Sequence, residues 1–350
     1  MTTDLSCPVP SGAYERVVLG HGSGGRLSQE LLARLFLPHL GNETLSSLED
    51  AATLPVEISG GARLAVTTDG YVVRPAFFPG GDIGRLAVCG TINDLAVSGA
   101  APMCLAGAFL LEEGFPLGDL ERIVRSMSDT CASVGTPFVA GDTKVLDRKR
   151  GDEIFIVTTG IGIVPAGRSL SIHAARPGDR IVVSGTLGDH GIAVMAAREG
   201  LELETELASD CAPVLDLVKA VLAASPGVRC MRDPTRGGLA ATLHELAGAS
   251  RVGVRIQEAD IPVRPEVRGA CEILGLDPLF IASEGRIVAV VPPEDADAVV
   301  AALRCLPSGS TAAVVGEVAS EEPGVVSAAS ALGVWRLVPL PAGELLPRIC

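Results

Sequence analysis

The sequence predicts a mixed α/β (α+β) protein of two domains. Segments rich in β-branched residues alternate with segments whose apolar residues recur at helical spacing, but their order is irregular. The 350 residues allow one or two domains, and 47% hydrophobic residues supply material for a core. Only 3% of the residues are aromatic, so we expect that core to consist of Ala, Val, Leu and Ile. The turn-like stretch ARPGDR at 175–180 predicts a hinge between the domains.

The first half of the chain predicts strands packed with helices. The glycine-rich stretch GHGSGGRLS at 20–28 leads into a helix for which Ser28 is the predicted cap, and Asp82 is the predicted cap of a second helix. A third helix is predicted over about 117–134. β-branched and apolar runs predict strands over 63–73, 103–111, 137–141 and 153–164.

The second half repeats this alternation and then loses it. Strands are predicted from RIVVSG onward and near 252–256, 286–292 and 312–316, with helices near 189–198, 210–223, 236–248 and 294–304. The last residues, PLPAGELLPRIC, hold three prolines and no periodicity, which predicts an extended, mobile tail. The predicted organisation is therefore an N-terminal segment (1–42), two domains (43–174 and 175–338) and a tail (339–350).

Composition argues against several classes of function. The formal net charge of −14 speaks against nucleic acid as a main partner, because binding phosphates requires a surplus of Lys and Arg. No basic segment followed by an apolar run opens the chain, and no run approaches the roughly 20 apolar residues that span a bilayer. The nine cysteines form no C-x-x-C pair, so neither a zinc site nor a disulfide framework is predicted. We expect a cytoplasmic protein.

Five carboxylates form the strongest chemical pattern. Asp94 falls on the apolar stripe of its helix, and a buried charge must be paired or bind a metal. Asp69 and Asp142 end strands beside glycines, Asp233 opens DPTRGG, and Asp50 lies in LEDAATL. Each alone is also ordinary turn or cap chemistry. Together they favour a site for Mg²⁺ on a polyphosphate, since that ion takes oxygen ligands.

Glycine-rich turns strengthen the nucleotide interpretation. The stretches at 20–28, 78–85 and 233–240 each feed a helix start, where free amides and the helix dipole favour anions. None matches a P-loop or a strand-linked G-x-G-x-x-G pattern. Lys144 and Glu284 follow strand-like runs next to glycine turns and are candidate acid–base groups, although solvated surface is the commoner fate of both residue types. His21 and His190 are weaker candidates.

Cys350 is the last residue, an unusual position for a structural thiol. The adjacent α-carboxylate should raise the pKa of this thiol, and Arg348 is expected to offset part of that effect. The residue is therefore a poor attacking nucleophile. On a mobile tail it fits a carrier that visits more than one place.

Together these motifs resemble the HypE family of hydrogenase maturation factors, the carbamoyl dehydratases. The resemblance covers about residues 15–350 and rests on HGSGG, TTDGYVVRPAFFPGGDIGRLAVCGTINDLAVSGA, AGDTKV, DPTRGGLA, ASEG and the terminal PRIC. The family belongs to the ATP-binding superfamily that contains aminoimidazole ribonucleotide synthetase and selenophosphate synthetase. The PRIC ending distinguishes it, since the other branches have no carrier tail.

The resemblance implies a PurM-like fold of two α/β domains with ATP and Mg²⁺ in the cleft between them. It implies a homodimer in which N-terminal-domain strands pair. It also implies that the carbamoyltransferase HypF loads a carbamoyl group onto Cys350, and that ATP is used to convert this group to S-cyanate. The cyanide then passes to a HypC–HypD scaffold for the iron of nickel–iron hydrogenase.

The resemblance further assigns roles to individual residues. The implied catalytic residues are Cys350, Lys144 and Glu284. The implied Mg²⁺ ligands are Asp50, Asp69, Asp94, Asp142 and Asp233. The implied ATP contacts are these aspartates with Thr143, Thr235, Gly22, Gly24, Gly25, Gly237 and Gly238. One departure is that a single Asp follows Glu49, where relatives often have paired aspartates.

Two other functions remain open from the sequence. The chain could be a small-molecule ligase or kinase of the same superfamily in which Cys350 is incidental. It could also be a non-enzymatic module whose tail docks on a partner while ATP switches its conformation.

Overall fold

The computed structural model describes residues 25–40, 42–58, 60–148, 152–200, 207–330, 332–340 and 348–350. A π-helical turn, Leu32–Phe36, joins the first two helices. The α-helices of the described residues are α1 (Arg26–Leu31), α2 (Leu37–Leu40), α3 (Ile83–Val97), α4 (Leu117–Val134), α5 (Asp189–Glu199), α6 (Leu215–Ala224), α7 (Gly238–Ser250), α8 (Pro265–Leu274) and α9 (Ala296–Arg304). Among these described residues, none of the helices has the length and apolarity needed to cross a membrane.

The described strands form two main sheets and a short hairpin. In chain order they are β1 (Ala52–Ile58), β2 (Ala62–Tyr71), β3 (Phe77–Phe78), β4 (Gly81–Asp82), β5 (Ala101–Glu112), β6 (Phe138–Leu146), β7 (Ile154–Val164), β8 (Arg180–Val183), β9 (Cys230–Arg232), β10 (Gly253–Gln257), β11 (Val288–Val291), β12 (Ala313–Ala319), β13 (Val326–Ala329) and β14 (Trp335–Leu337). The N-terminal sheet has the order β1-β2-β7-β5-β6 and the C-terminal sheet the order β14-β13-β10-β12-β8-β11-β9.

Helix α3 lies at the centre of the molecule. The Asp82 side chain accepts hydrogen bonds from the backbone N–H groups of Gly84 and Arg85, which confirms the predicted cap. Thirteen of the helix's 15 residues are buried, because it packs on β2 and β7, on α4, and on α6 and β9 of the C-terminal half. A helix that is apolar on every side is buried on every side. Asp94 is one of its two less buried residues and faces the cleft between the two halves.

Each half has a core of its own, and Ala96 and Val97 of α3 pack into a further cluster of the C-terminal half. The C-terminal sheet and α7 enclose one core, with Val254, Ile256 and Leu243 among its fully buried residues. The N-terminal core lies between the sheet, α3 and α4, and Ile349 from the end of the chain packs into it. As predicted from the composition, aliphatic side chains dominate both.

The sequence predicted most elements but placed some incorrectly. The predicted span of α4 is confirmed, whereas β6 continues five residues beyond the predicted end at 141. Ser28 is not a cap, because α1 already begins at Arg26 with Gly25 in the N-cap position. Strands β1, β9, β13 and β14 and helix α8 were not predicted.

Both ends of the C-terminal tail make contacts with the rest of the protein: its root at Val338 and its tip at residues 348–350. Val338 is buried, donates its N–H to the Val326 carbonyl at 2.9 Å and accepts a hydrogen bond from His244 Nε2 at 2.7 Å. At the tip, Arg348 has a positive φ of 58°, a left-handed conformation that is uncommon for a residue other than glycine. Beyond it, Ile349 is buried and Cys350 lies in the cleft.

Candidate functional site

Three carboxylates meet at the mouth of the cleft. Asp50 precedes β1, Asp94 lies on α3, and Asp233 follows β9, so three separate elements deliver them. One oxygen from each lies within 4.8 Å of the others. Thr67 Oγ1 on β2 donates a hydrogen bond to Asp94 Oδ2 at 2.7 Å and fixes that side chain. We call Asp50, Asp94 and Asp233 the acidic cluster.

Arg232 neutralises part of the acidic cluster. Its Nη2 lies 2.9 Å from Asp50 Oδ1 and 2.6 Å from Glu245 Oε2. Glu49, the neighbour of Asp50, faces away: it accepts hydrogen bonds from Ser171 Oγ at 2.6 Å and from the Ile172 N–H at 3.2 Å. Asp50 is therefore the carboxylate of LEDAATL that belongs to the cluster.

Burial and mutual repulsion shift the cluster's titration. Burial first, and then the negative charges of Asp233, Asp69 and Asp50, raise the pKa of Asp94 well above its usual range. Burial also raises the pKa of Asp50, although Arg232 opposes this. The pKa of Asp233 is raised to about 6, again mainly by burial and against Arg232. A cation bound among these carboxylates would offset both the cost of burying their charges and their mutual repulsion.

This donor set fits Mg²⁺. The ion takes carboxylate oxygens and keeps other positions for water and substrate phosphates. Three buried or half-buried carboxylates with converging oxygens, of which only Asp50 is paired with an arginine, satisfy that requirement. Asp69 lies in the same cleft, where Tyr71 Oη donates a hydrogen bond to its Oδ2 at 3.3 Å.

Cys350 lies in this cleft beside Glu284 and Arg236. Burial, followed by the charge of Glu284, raises the pKa of the Cys350 thiol well above its usual value, while Arg236 lowers it. Arg348 does not provide the predicted offset, because its guanidinium pairs with Asp152. The thiol is thus neutral at physiological pH, as expected for a carrier rather than an attacking nucleophile.

Glu284 is almost completely buried, with 1% of its surface exposed. Burial, and then Asp233, Asp210 and Asp69, raise the pKa of its carboxyl well above the usual value. Among the described residues, no hydrogen-bond partner reaches its Oε1 atom. A buried carboxyl with a raised pKa and an open oxygen is suited to exchanging protons with a group brought next to it.

The backbone around Glu284 is fixed from the N-terminal half. Asn93 of α3 donates from Nδ2 to the carbonyls of Glu284 and Ala212, both at 3.1 Å, and its Oδ1 accepts the Val214 N–H at 2.9 Å. Asp210 accepts the Glu284 N–H at 3.1 Å. The helix that carries Asp94 therefore also positions Glu284.

The DPTRGG turn forms the adjoining wall. Thr235 and Arg236 line the cleft, and the Gly238 N–H donates to the Thr235 carbonyl at 2.9 Å. Gly237 has a φ of +78°, and a Cβ on Gly238 would lie 2.7 Å from the carbonyl oxygens of Leu279 and Ile281. Only glycine fits this turn.

The structure does not bring every predicted site residue into the cleft. Asp142, Thr143 and Lys144 lie on β6, where Lys144 Nζ pairs with Asp142 Oδ2 at 2.7 Å and both side chains are exposed. The register aligns Asp69, Thr158, Gly107 and Gly141 across β2, β7, β5 and β6. Three strand spacings separate β2 from β6, about 14 Å.

Asp142 and Lys144 also point to the other side of the sheet. Gly141 shares the face of Thr158, which packs against α3, so its neighbour Asp142 projects from the opposite face. Gly22 and Gly24 lie outside the described residues, and Gly25 is the buried N-cap of α1.

Sequence reasoning missed three residues of the site. Arg236 and Tyr71 stand inside motifs that were recognised, DPTRGG and TTDGY, but only the Asp, Thr and Gly of those motifs were assigned. Arg232 immediately precedes Asp233 and is nearly buried, which is unusual for an arginine unless it is paired. An arginine next to a predicted metal ligand was the available signal.

Comparison with known proteins agrees with this geometry. Residues 48–164 match the N-terminal domain, and residues 176–328 the C-terminal domain, of the AIR synthase related proteins. A carbamoyl dehydratase HypE from Cupriavidus necator is 51% identical over 335 residues, covering 96% of this chain and 95% of that protein. The crystal structure of a hydrogenase maturation protein HypE in complex with ATP superposes with a TM-score of 0.80 at 45% identity, covering 96% of this chain and all of that one. HypE in a HypE–HypF complex gives a TM-score of 0.83 at 42% identity, covering 89% and 99%.

The chain thus belongs to the AIR synthase related proteins, a class of two-domain, ATP-binding enzymes. Within that class it is a member of the HypE family, the carbamoyl dehydratases of hydrogenase maturation. The predicted family, PurM-like fold and enzyme activity are confirmed.

Proposed function

We propose that this carbamoyl dehydratase uses ATP to convert an S-carbamoyl group on its own Cys350 into an S-cyanate. The main support for this proposal is that Cys350 occupies the same cleft as Glu284, Arg236 and two members of the acidic cluster, Asp94 and Asp233. A carrier residue, a proton acceptor and a phosphate-binding site are thereby within one small volume. An incidental terminal cysteine would have no reason to enter it.

The conversion requires one phosphoryl transfer and the loss of two protons from the carbamoyl nitrogen. The carbamoyl oxygen attacks the γ-phosphorus of ATP, ADP leaves, and one N–H proton is lost, which leaves an O-phosphorylated S–C(=NH) group. Loss of the second N–H proton then forms the C≡N bond as inorganic phosphate leaves. The oxygen removed from the amide ends in phosphate, so the net reaction on the thiol is loss of one water.

The residues of the cleft match these needs. Glu284, with its raised pKa and its open oxygen, would take a proton from the carbamoyl nitrogen. Arg236 would stabilise negative charge on the phosphorylated oxygen, because its guanidinium lies beside Cys350. Mg²⁺ held by Asp50, Asp94 and Asp233, with Asp69 nearby, would neutralise the charge of the ATP phosphates. The Gly237 N–H of the DPTRGG turn would face those phosphates, whereas the Gly238 N–H is already bonded to the Thr235 carbonyl.

Intact-protein mass spectrometry tests this proposal. The chain is incubated with HypF, carbamoyl phosphate and ATP, and its mass is followed over time. We expect gain of one carbamoyl group followed by loss of one water, both mapped to the C-terminal peptide. Survival of ATP turnover on a free small molecule in Cys350→Ala would overturn the proposal in favour of a ligase or kinase.

We also propose a homodimer built on the N-terminal sheet. Among the described strands, β6 pairs with β5 alone, and along its whole length its residues are largely exposed. Apolar side chains are exposed on β6 and on the strands near it, including Met103 on β5, Val139 on β6 and Val157 on β7. Exposed strand edges with apolar neighbours favour pairing with another chain.

Such a dimer would give Lys144 a role that the single chain does not. Lys144 faces away from its own cleft, so we propose that it acts in the cleft of the second copy, with Asp142 beside it. Mixing Lys144→Ala with Glu284→Ala tests this, since a mixed dimer would hold one intact site. Recovery of dehydration on mixing is expected; two inactive variants that stay inactive despite forming mixed dimers would contradict the shared site.

The remaining partners follow the family. We propose HypF as the enzyme that loads Cys350 and a HypC–HypD scaffold as the acceptor of the cyanide; a relative has been crystallised with HypF. We place these events in the cytoplasm, since every described cysteine is a free thiol, the state that a reducing compartment maintains. Co-purification with HypF, lost on deletion of residues 339–350, would support the first assignment.

A further inference from the structure

His190 holds the tip of the tail and has no part in the chemistry described above. Its Nε2 lies 2.8 Å from the carbonyl oxygen of Ile349, the residue before Cys350. Its Nδ1 lies 2.7 Å from Ser209 Oγ, and the ring packs edge-on against Phe78 with 5.4 Å between centroids. The imidazole is completely buried.

These contacts fix the tautomer of His190. A carbonyl oxygen can only accept, so Nε2 carries the hydrogen and donates it to Ile349. Burial lowers the pKa of His190 to about 4, so the ring is neutral near pH 7 and Nδ1 is an acceptor. The Ser209 hydroxyl therefore donates to Nδ1.

Ser209 is itself held from two sides. Its backbone N–H donates to the Pro79 carbonyl at 2.8 Å, and its Oγ accepts the Cys211 N–H at 3.0 Å. The Ser209 hydroxyl hydrogen therefore points toward His190. A continuous chain of hydrogen bonds thus connects the backbone at Pro79, through Ser209 and His190, to the tail.

A second set of contacts holds the preceding peptide. The Arg348 carbonyl accepts hydrogen bonds from Arg198 Nη2 at 2.6 Å and from the Arg74 N–H at 3.2 Å, while the Arg348 side chain pairs with Asp152. Together with the left-handed backbone of Arg348, these bonds set the direction in which the last two residues enter the cleft. His190 then contacts the carbonyl nearest to the thiol.

We propose that His190, oriented by Ser209, is a positioning residue that places the Cys350 sulfur for dehydration by binding the main chain and not the cargo. The proposal rests on the proposed function only in naming the reaction. Because the Ile349 carbonyl is the same whether the thiol is free, carbamoylated or cyanated, one contact can hold all three forms in place.

Site-specific thiol labelling tests the placement without using the reaction. Iodoacetamide labelling of the C-terminal peptide, read by mass spectrometry, is compared between wild type and His190→Leu, with exposed Cys305 as the internal reference. We expect Cys350 to be labelled about tenfold faster in the variant, since one hydrogen bond and its orientation are lost. Cys305 should be labelled at an unchanged rate.

Single-turnover dehydration of the carbamoylated protein gives the second measurement. His190→Leu should slow it about tenfold with the KM for ATP unchanged, and His190→Gln should restore most of the rate because its amide can donate to the same carbonyl. His244→Leu is the matched control, since its histidine also binds a backbone carbonyl but at the root of the tail. If His190→Leu does not fold, Ser209→Ala takes its place.

The outcomes separate the two hypotheses. Unchanged Cys350 labelling in a folded His190→Leu protein would overturn the positioning role, whatever the activity. A slowed reaction that His190→Gln does not restore would also overturn it, because general loss of packing would then explain the effect. Absence of cyanate in wild type, with labelling still raised in His190→Leu, would refute the proposed function and leave the positioning of Cys350 intact.

Discussion

Substitution of Asp94 by Asn should stabilise the metal-free protein while removing its response to Mg²⁺ and ATP. The oxygens of the acidic cluster lie within 4.8 Å of one another, and at that distance two like charges repel by about 3.5 kcal/mol at an effective dielectric constant of about 20. Asp94 takes part in two such pairs. The wild-type protein avoids part of this cost by protonation, since the pKa of Asp94 is raised.

The net gain in the free energy of unfolding is therefore smaller than the summed repulsion. We expect about 2 kcal/mol, which corresponds to about 4–8 °C in Tm for a domain of this size. The amide oxygen of Asn can still accept the Thr67 hydrogen bond, so packing is retained. A carboxyl whose pKa is raised on folding costs stability as the pH rises above its ordinary value of about 3.9. The difference in the free energy of unfolding between variant and wild type should consequently be small near pH 4 and should reach its full value near pH 8.

Thermal unfolding at pH 5 and pH 8, with and without Mg²⁺ and ADP, measures both effects. Wild type should gain stability on addition of the ligands, and Asp94→Asn should gain much less. Glu272→Gln, which removes one exposed charge on α8, is the matched control and should change neither curve. A variant that is less stable than wild type at pH 8, or that keeps the full ligand-induced shift, would refute the electrostatic argument.

Three further outcomes are expected. Glu284→Gln should leave carbamoylation of the tail intact but slow dehydration by about 10²–10⁴-fold, as measured by intact mass over time; a change below threefold would remove it as the base. At pH 8, iodoacetamide should label exposed Cys305 well before Cys350, whose thiol pKa is raised by burial, and equal rates would mean that the tail is undocked. Gly285→Ala should lower the Tm markedly, because the new Cβ would collide with the Asp210 carbonyl; an unchanged Tm would show that this loop yields.

Local signals were sufficient for the elements that depend on local contacts. The apolar stripe and the Asp82 cap predicted α3, and the observed span of α4 agrees with the predicted helix over about 117–134. Strands β9, β13 and β14 have only three or four residues and are stabilised by pairing across the sheet, so no periodicity could reveal them. The registers of β9 and β13 depend on partners distant in sequence, β11 and β10.

The site shows the same division. Asp69, Asp94 and Asp233 could be recognised because each stands in a glycine-containing turn or on an apolar stripe, whereas Asp50 has neither signal. Their meeting in space depends on three separate elements, and Glu49 is held away from them by Ser171 and Ile172, more than a hundred residues distant. The placement of Lys144 away from the cleft follows from strand order and register, which the chain sequence does not display. The residue types therefore indicated the chemistry of the site, whereas the chain topology determines which of these side chains lie in the same cleft.

The fixed root of the tail limits how far Cys350 can move from the C-terminal domain. From Val338, which is anchored in the C-terminal sheet, 12 residues lead to Cys350. Fully extended, they span no more than about 40–43 Å. Any enzyme that loads the thiol, and any acceptor that unloads it, must bring its own reactive centre inside that radius. In the proposed cycle, loading, conversion and delivery exclude one another in time, because one thiol serves all three steps.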